Sequence, residues 1–124
     1  MSAIAETYFD KYDNAGAYHW RECDPSGPAY NPPLVARYHM VLKRARGARA
    51  LDVGAGDGYL TARLAQTCDT GIGLETEKTG VDLANTMLDM IPNASVEQGS
   101  TYAIPHPDAS FDVVVMADVI EHLE

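Results

Sequence analysis

From residue 50 onward the apolar positions alternate between short runs and helical stripes. Ala50-Leu51-Asp52-Val53 feeds into Gly54-Ala55-Gly56-Asp57-Gly58, three glycines at alternate positions, and residues 59–67 continue with helical character. This order predicts a strand, a tight turn and a helix start, the kind of junction where a ligand meets unpaired backbone N–H groups. Gly71-Ile72-Gly73-Leu74 reads as a second short strand ending at Glu75. A helix is predicted over 79–90, with Val81, Ala84, Leu88 and Ile91 on one stripe and Pro92-Asn93 marking its end. Ser95-Val96-Glu97 is a weak third strand. Phe111-Asp112-Val113-Val114-Val115-Met116 is a continuous apolar run of the kind buried on both faces, and residues 119–123 start another helix. Strands alternating with helices imply right-handed crossovers and an α/β fold, a parallel sheet with helices on both faces.

The first 49 residues pattern differently. Residues 2–12 can form a short helix with Ile4, Tyr8 and Phe9 on one face. Residues 13–33 are rich in Gly, Pro, Asn and Asp and read as loop. That loop holds Tyr18, His19 and Trp20, which either pack on the domain surface or cap a ligand pocket as a lid. Pro33 suits the first turn of a helix that carries Leu34, Tyr38, Val41 and Leu42 through Arg46, with Gly47 as its stop. The expected organisation is a helical or lid segment over 1–49 and an α/β core over 50–124.

Charge narrows the partners. The net charge is −9, but it is uneven: +2 over residues 1–49 and −11 over 50–124. A nucleic-acid surface needs clustered Lys and Arg, so no nucleic-acid partner is expected. The basic run Lys43, Arg44, Arg46 and Arg49 is read as a helix end favoured by the macrodipole. Cys23 and Cys68 form no C-x-x-C pair, and no apolar run approaches a membrane span or a signal peptide. A soluble protein of the reducing cytoplasm, without a membrane partner, is the expectation.

The glycine turn carries the chemistry. A dinucleotide fingerprint is G-x-G-x-x-G, and its third glycine would fall at position 59, where Tyr59 stands; the spacing here is G-x-G-x-G. Asp52 before the turn and Asp57 within it suit a ligand with a cationic ammonium or sulfonium group better than a pyrophosphate. Glu75 lies 23 residues after Asp52 at the end of the next strand, where a carboxylate accepts hydrogen bonds from ribose hydroxyls.

Four ordered stretches then resemble the class I S-adenosylmethionine-dependent methyltransferases: Asp52 to Gly58, Glu75, Gln98-Gly99-Ser100, and Phe111 to His122. The resemblance implies a Rossmann-like parallel sheet, truncated here after the fourth strand, and S-adenosyl-L-methionine as cofactor with S-adenosyl-L-homocysteine as product. It implies that Asp52, Gly54, Ala55, Gly56, Asp57 and Gly58 lie along the methionine moiety and that Glu75 holds the ribose. Ser100 and Thr101 would border the adenine, Ser100 standing where such families often have Asp, and Asp118 would close the site near the transferred methyl. Tyr18, His19 and Trp20 would be the acceptor-side lid.

The activity this implies is methyl transfer to a small-molecule acceptor. The alternatives are a non-catalytic module binding S-adenosylmethionine or S-adenosylhomocysteine, a metal-assisted RNA 2′-O-methyltransferase fragment, and a nucleotide-binding oxidoreductase fragment, which the glycine spacing disfavours. Methyl transfer from a sulfonium demands orientation and, for some nucleophiles, a base. His19, His106, Asp118 and His122 are the candidates. Asp118, Glu121 and His122 would share a helix face as a potential metal set, but the acidic charge favours the reading without a metal. The family resembles a seven-stranded sheet, of which this chain supplies four strands. The strand at 111–116 is then an apolar edge, to be covered by a missing C-terminal region or by a second copy in a homodimer.

Overall fold

A computed structural model describes Tyr12 and residues 15–117. In chain order these form α1 (Tyr18–Glu22), α2 (Pro32–Arg44), β1 (Gly47–Val53), α3 (Tyr59–Thr67), β2 (Cys68–Glu75), α4 (Lys78–Met87), β3 (Ala94–Gln98) and β4 (Val113–Val115). The strands make one parallel sheet in the order β3-β2-β1-β4. The chain runs outward from β1 to β2 and β3, then crosses to the other side of β1 for β4. That reversal opens a crevice beyond the carboxyl ends of β1 and β4, the place where open α/β sheets bind ligands.

Local chemistry explains most boundaries. Asn31 caps α2 by accepting the Leu34 N–H at 3.3 Å, and Pro32 and Pro33 occupy the first turn, where no N–H is needed. The helix ends at Arg44, two residues earlier than expected. Gly47, expected as the helix stop, instead begins β1 with φ of 148°. A Cβ there would lie 2.9 Å from that of Asp112, whose carboxylate accepts the Ala48 and Arg49 N–H groups at 2.8 and 2.9 Å. This clasp ties the entry of β4 to the entry of β1.

Two apolar layers sandwich the sheet. Leu34, Tyr38, Leu42 and Ala45 from α2 and its end pack with Ala50, Leu60, Leu64 and Val115. On the other side Ala62 packs with Val81, Ala84, Leu88 and Val96. The α4 stripe is buried as patterned, although the helix ends at Met87 and Leu88 only caps it.

The strand expected over 111–116 is shorter and less buried than its sequence implies. Only Val113–Val115 pairs, along Ala50 to Asp52 of β1, and Val114 is 56% exposed. A β-branched run is buried on both faces only where helices cover both, and Val114 has no such cover among the described residues. The opposite edge is treated differently: Asn85 donates to the Val96 carbonyl at 2.7 Å and accepts the Val96 N–H at 3.0 Å, standing in for a neighbouring strand. Among the described residues no helix is long and apolar enough to cross a membrane. The helices read over 2–12 and from 119 fall almost wholly outside the described residues, Tyr12 excepted.

Candidate functional site

The β1–α3 turn is built on glycine for two separate reasons. Gly54, Gly56 and Gly58 have φ of 74°, 58° and 82°, a region that side chains disfavour. Beneath them, a Cβ on Gly73 of β2 would lie 2.6 Å from the Ala55 Cβ and 2.7 Å from the Thr61 hydroxyl, so only glycine lets the turn rest on the strand. A glycine inside a strand is the one sequence sign of this close approach.

Four of the turn's N–H groups are bonded within the protein. The Gly54 and Ala55 N–H groups donate to the Leu74 carbonyl at 2.8 and 3.0 Å, and the Gly58 N–H to the Ala55 carbonyl at 3.0 Å. The Gly56 N–H donates to Glu75 Oε1 at 2.9 Å. These four donors are spent inside the protein. With its N–H bonded to Glu75, Gly56 offers no donor to a pyrophosphate.

Three acids surround the turn in distinct states. Asp52, 2% exposed, accepts the Thr61 hydroxyl at 2.8 Å; burial pushes its carboxyl up to about 7, against the opposing effect of that hydrogen bond. Asp57, 1% exposed, gives both oxygens to one residue: Oδ2 accepts the His19 N–H at 2.9 Å and Oδ1 pairs with His19 Nδ1 at 3.1 Å. Glu75 is held by the Gly56 N–H on one oxygen and by the Glu77 N–H, at 3.0 Å, on the other.

The aromatic residues expected in a loop over 13–33 are partly helical. Residues 18–22 form α1, because His19 and Trp20 are both anchored on Asp57: the Trp20 indole donates to the Asp57 carbonyl at 2.9 Å. Trp20 also meets Tyr59 edge-on at 5.2 Å, so it is fastened into the wall of the turn. Tyr18 stacks on Tyr12 at 5.9 Å and meets His19 at 4.1 Å with the two rings tilted by 33°. Sequence reasoning did not single out Tyr12. A Cβ on Gly56 would lie 2.5 Å from its hydroxyl, and one on Gly80 would meet its ring at 3.2 Å. Burial first, then the nearby Glu75 carboxylate, holds that hydroxyl well above the usual phenol range.

The other expected residues are placed as follows. The Gly99 N–H donates to the Glu75 carbonyl at 3.0 Å, bringing the end of β3 beside the end of β2. Ser100 follows, its hydroxyl accepting the Tyr102 N–H at 3.1 Å, with Thr101 half-buried beside it. His106 belongs to the β3–β4 loop, bonded to Glu97 and edge-on to Phe111. Asp118, Glu121 and His122 lie outside the described residues. Among the described residues no group of three His, Cys, Asp or Glu side chains is arranged to hold a metal ion.

A parallel sheet with a switch between β1 and β4, a glycine turn with four N–H donors bonded internally, and an acid ending β2 define a Rossmann-like fold. A family model described as "Methyltransferase domain" matches residues 51–124. The chain is 34% identical over 86 residues, 69% of its length, to the Mycolicibacterium smegmatis protein named "Probable S-adenosylmethionine-dependent methyltransferase". It is 30% identical over 100 residues, 78% of its length, to a Bradyrhizobium protein-L-isoaspartate O-methyltransferase. It spans 32% and 46% of those two relatives' own lengths. The fold also matches magnesium protoporphyrin IX methyltransferase of Synechocystis, solved with bound S-adenosylmethionine, over all of this chain and 66% of that one, with a TM-score of 0.68 at 17% identity. The chain belongs to the class I S-adenosylmethionine-dependent methyltransferases. S-adenosyl-L-methionine is the cofactor of that class.

Proposed function

We propose that the crevice beyond the carboxyl end of β1, beside Gly56 and Glu75, seats S-adenosyl-L-methionine and that the intact enzyme passes its methyl group to a small-molecule acceptor. The observation that carries the reading is Glu75. Two backbone N–H groups orient its carboxylate, one per oxygen; Oε2 also accepts the Thr76 hydroxyl at 3.4 Å, and Oε1 keeps a further acceptor site for a ribose hydroxyl. Gly54, Ala55, Gly56 and Gly58 shape the turn along which the methionine portion lies. Ser100 and Thr101, next to the Gly99–Glu75 link, border the adenine. Asp52 and Asp57 add negative potential suited to a cationic sulfonium. The bound cofactor supplies an activated methyl whose leaving group is a neutral thioether. The residues of the chain orient it and shelter it.

The acceptor is read as a small molecule because the rings of Tyr12, Tyr18 and His19 form a compact, partly apolar wall beside Gly56. The acidic charge gives no footing to a nucleic acid. The test follows tritium from methyl-labelled S-adenosylmethionine into a cell extract separated into small molecules and protein. Label in the small-molecule fraction supports the reading. Label confined to protein, as the isoaspartate relative's name would have it, overturns the acceptor class. Tight binding of S-adenosylhomocysteine with no transfer to either fraction marks a non-catalytic binding module.

A further inference from the structure

We infer that His106 positions the adenine end of the cofactor: bonded back onto Glu97, it fixes the turn that carries Ser100 and Thr101 and so sets the preference for a 6-amino purine. This rests on the cofactor seat proposed above. Gln98 is the register partner of Glu75, and the Gly99 N–H donates to the Glu75 carbonyl at 3.0 Å. The base hangs from the ribose that Glu75 would hold, so the segment leaving β3 at Gly99 is its neighbour on that side. That segment turns tightly: the Ala103 N–H donates to the Ser100 carbonyl at 3.1 Å, and the Ser100 hydroxyl accepts the Tyr102 N–H at 3.1 Å. Tyr102 and Ile104 are 70% and 40% exposed, so apolar burial does little to hold the turn in place.

The return limb is fastened at its end. Pro105 packs on Gly99, where a Cβ would lie 3.6 Å from the proline Cδ. His106 Nε2 then meets Glu97 Oε1, and since a carboxylate only accepts, the ring nitrogen donates. Residues 97–106 are thereby closed into a loop whose ends hold each other, which removes conformations in which the turn swings away. The His106 side chain is 18% exposed and has its own backing: its ring meets Phe111 edge-on at 5.0 Å, and the Arg49 guanidinium lies 5.1 Å over the same Phe111 ring. Adenine presents an amino donor beside a ring acceptor, and hypoxanthine, its 6-oxo counterpart, presents the reverse. A turn held still takes one order and rejects the other, whereas a loosened turn adjusts to either.

Competition calorimetry on the intact protein compares S-adenosylhomocysteine with S-inosylhomocysteine, identical but for the purine. The parent should bind the adenine ligand about tenfold or more tightly than the hypoxanthine ligand. His106→Phe keeps a ring against Phe111 and loses the bond to Glu97; the ratio should fall about threefold or more, the size expected of a partly exposed pair. Glu97→Ala breaks the same bond from its more exposed side and should reproduce that fall, and the two changes together should lower the ratio no further than His106→Phe alone. His106→Gln, which keeps a donor, should hold the ratio within about 1.5-fold of the parent. Equal weakening of both ligands, the mark of a residue that only supports the fold, overturns the inference. So does an unchanged ratio in either single variant, or a His106→Gln ratio as low as that of His106→Phe. A parent that binds both purines alike overturns it while leaving the cofactor seat intact; a parent that binds neither overturns both.

Discussion

The two flanks of β1 are finished to different standards. On the β2 side the Gly54, Ala55, Gly56 and Gly58 donors are bonded, the acids each have partners, and Gly73 lets two backbones meet. On the β4 side three valines pair with β1, and Val114 stands 56% exposed. Both flanks come from apolar runs of similar sequence character. The difference shows that the β2 flank is fixed by hydrogen bonds and close approach, while the β4 flank, among the described residues, is fixed by strand pairing alone.

The largest effect should come from filling the contact under the turn. Gly73→Val places carbon where Ala55, Thr61 and Val96 already stand, and should lower unfolding free energy in urea by about 3 kcal/mol or prevent folding. A loss under about 1 kcal/mol would mean that the turn does not rest on β2. Thr61→Val removes the donor to the buried Asp52 carboxyl and should cost about 1–3 kcal/mol at pH 8, and less at pH 4, where the carboxyl is protonated.

The pH dependence has a definite sign. Asp52 has its folded value raised to about 7 from the 3.8 ordinary for its carboxyl, so its contribution to stability is fully present below about pH 4 and is lost as pH rises through about 7. Parent stability relative to Asp52→Asn, followed by thermal unfolding, should therefore fall across that window. A flat difference would place Asp52 in contact with solvent. Trp20→Phe keeps the ring against Tyr59 and loses the bond to the Asp57 carbonyl, for about 1 kcal/mol. The smallest effect belongs to the open flank: Val114→Lys should change unfolding free energy by less than about 0.5 kcal/mol while reducing self-association in sedimentation.

The legible parts of the molecule are those whose cause is local. The strand–turn–helix from Ala50 to Thr67 and the acid at the end of β2 follow from apolar period and glycine spacing, and the structure has both. The five-residue α1 was not legible, because a helix that short is held by Asp57, 38 residues from His19, rather than by its own pattern. Tyr12 over Gly56 and Thr61 under Asp52 are likewise tertiary facts. The valine run was read as doubly buried because a β-branched sequence says what a strand can bury and not whether a partner is present. Gly73 could have been found, since an interior strand glycine signals a close neighbour.

Four N–H donors of the turn are bonded within the protein, and the proposed seat holds a nucleoside through Glu75. Calorimetric titration of the intact protein with S-adenosylhomocysteine and with NAD tests it directly. The account predicts that S-adenosylhomocysteine binds at micromolar concentration or tighter, that NAD does not, and that Glu75→Ala weakens the former about tenfold or more, the loss expected when hydrogen bonds to a charged group are removed. Binding of NAD with comparable affinity, or a Glu75→Ala protein that holds S-adenosylhomocysteine as well as the parent does, would contradict it.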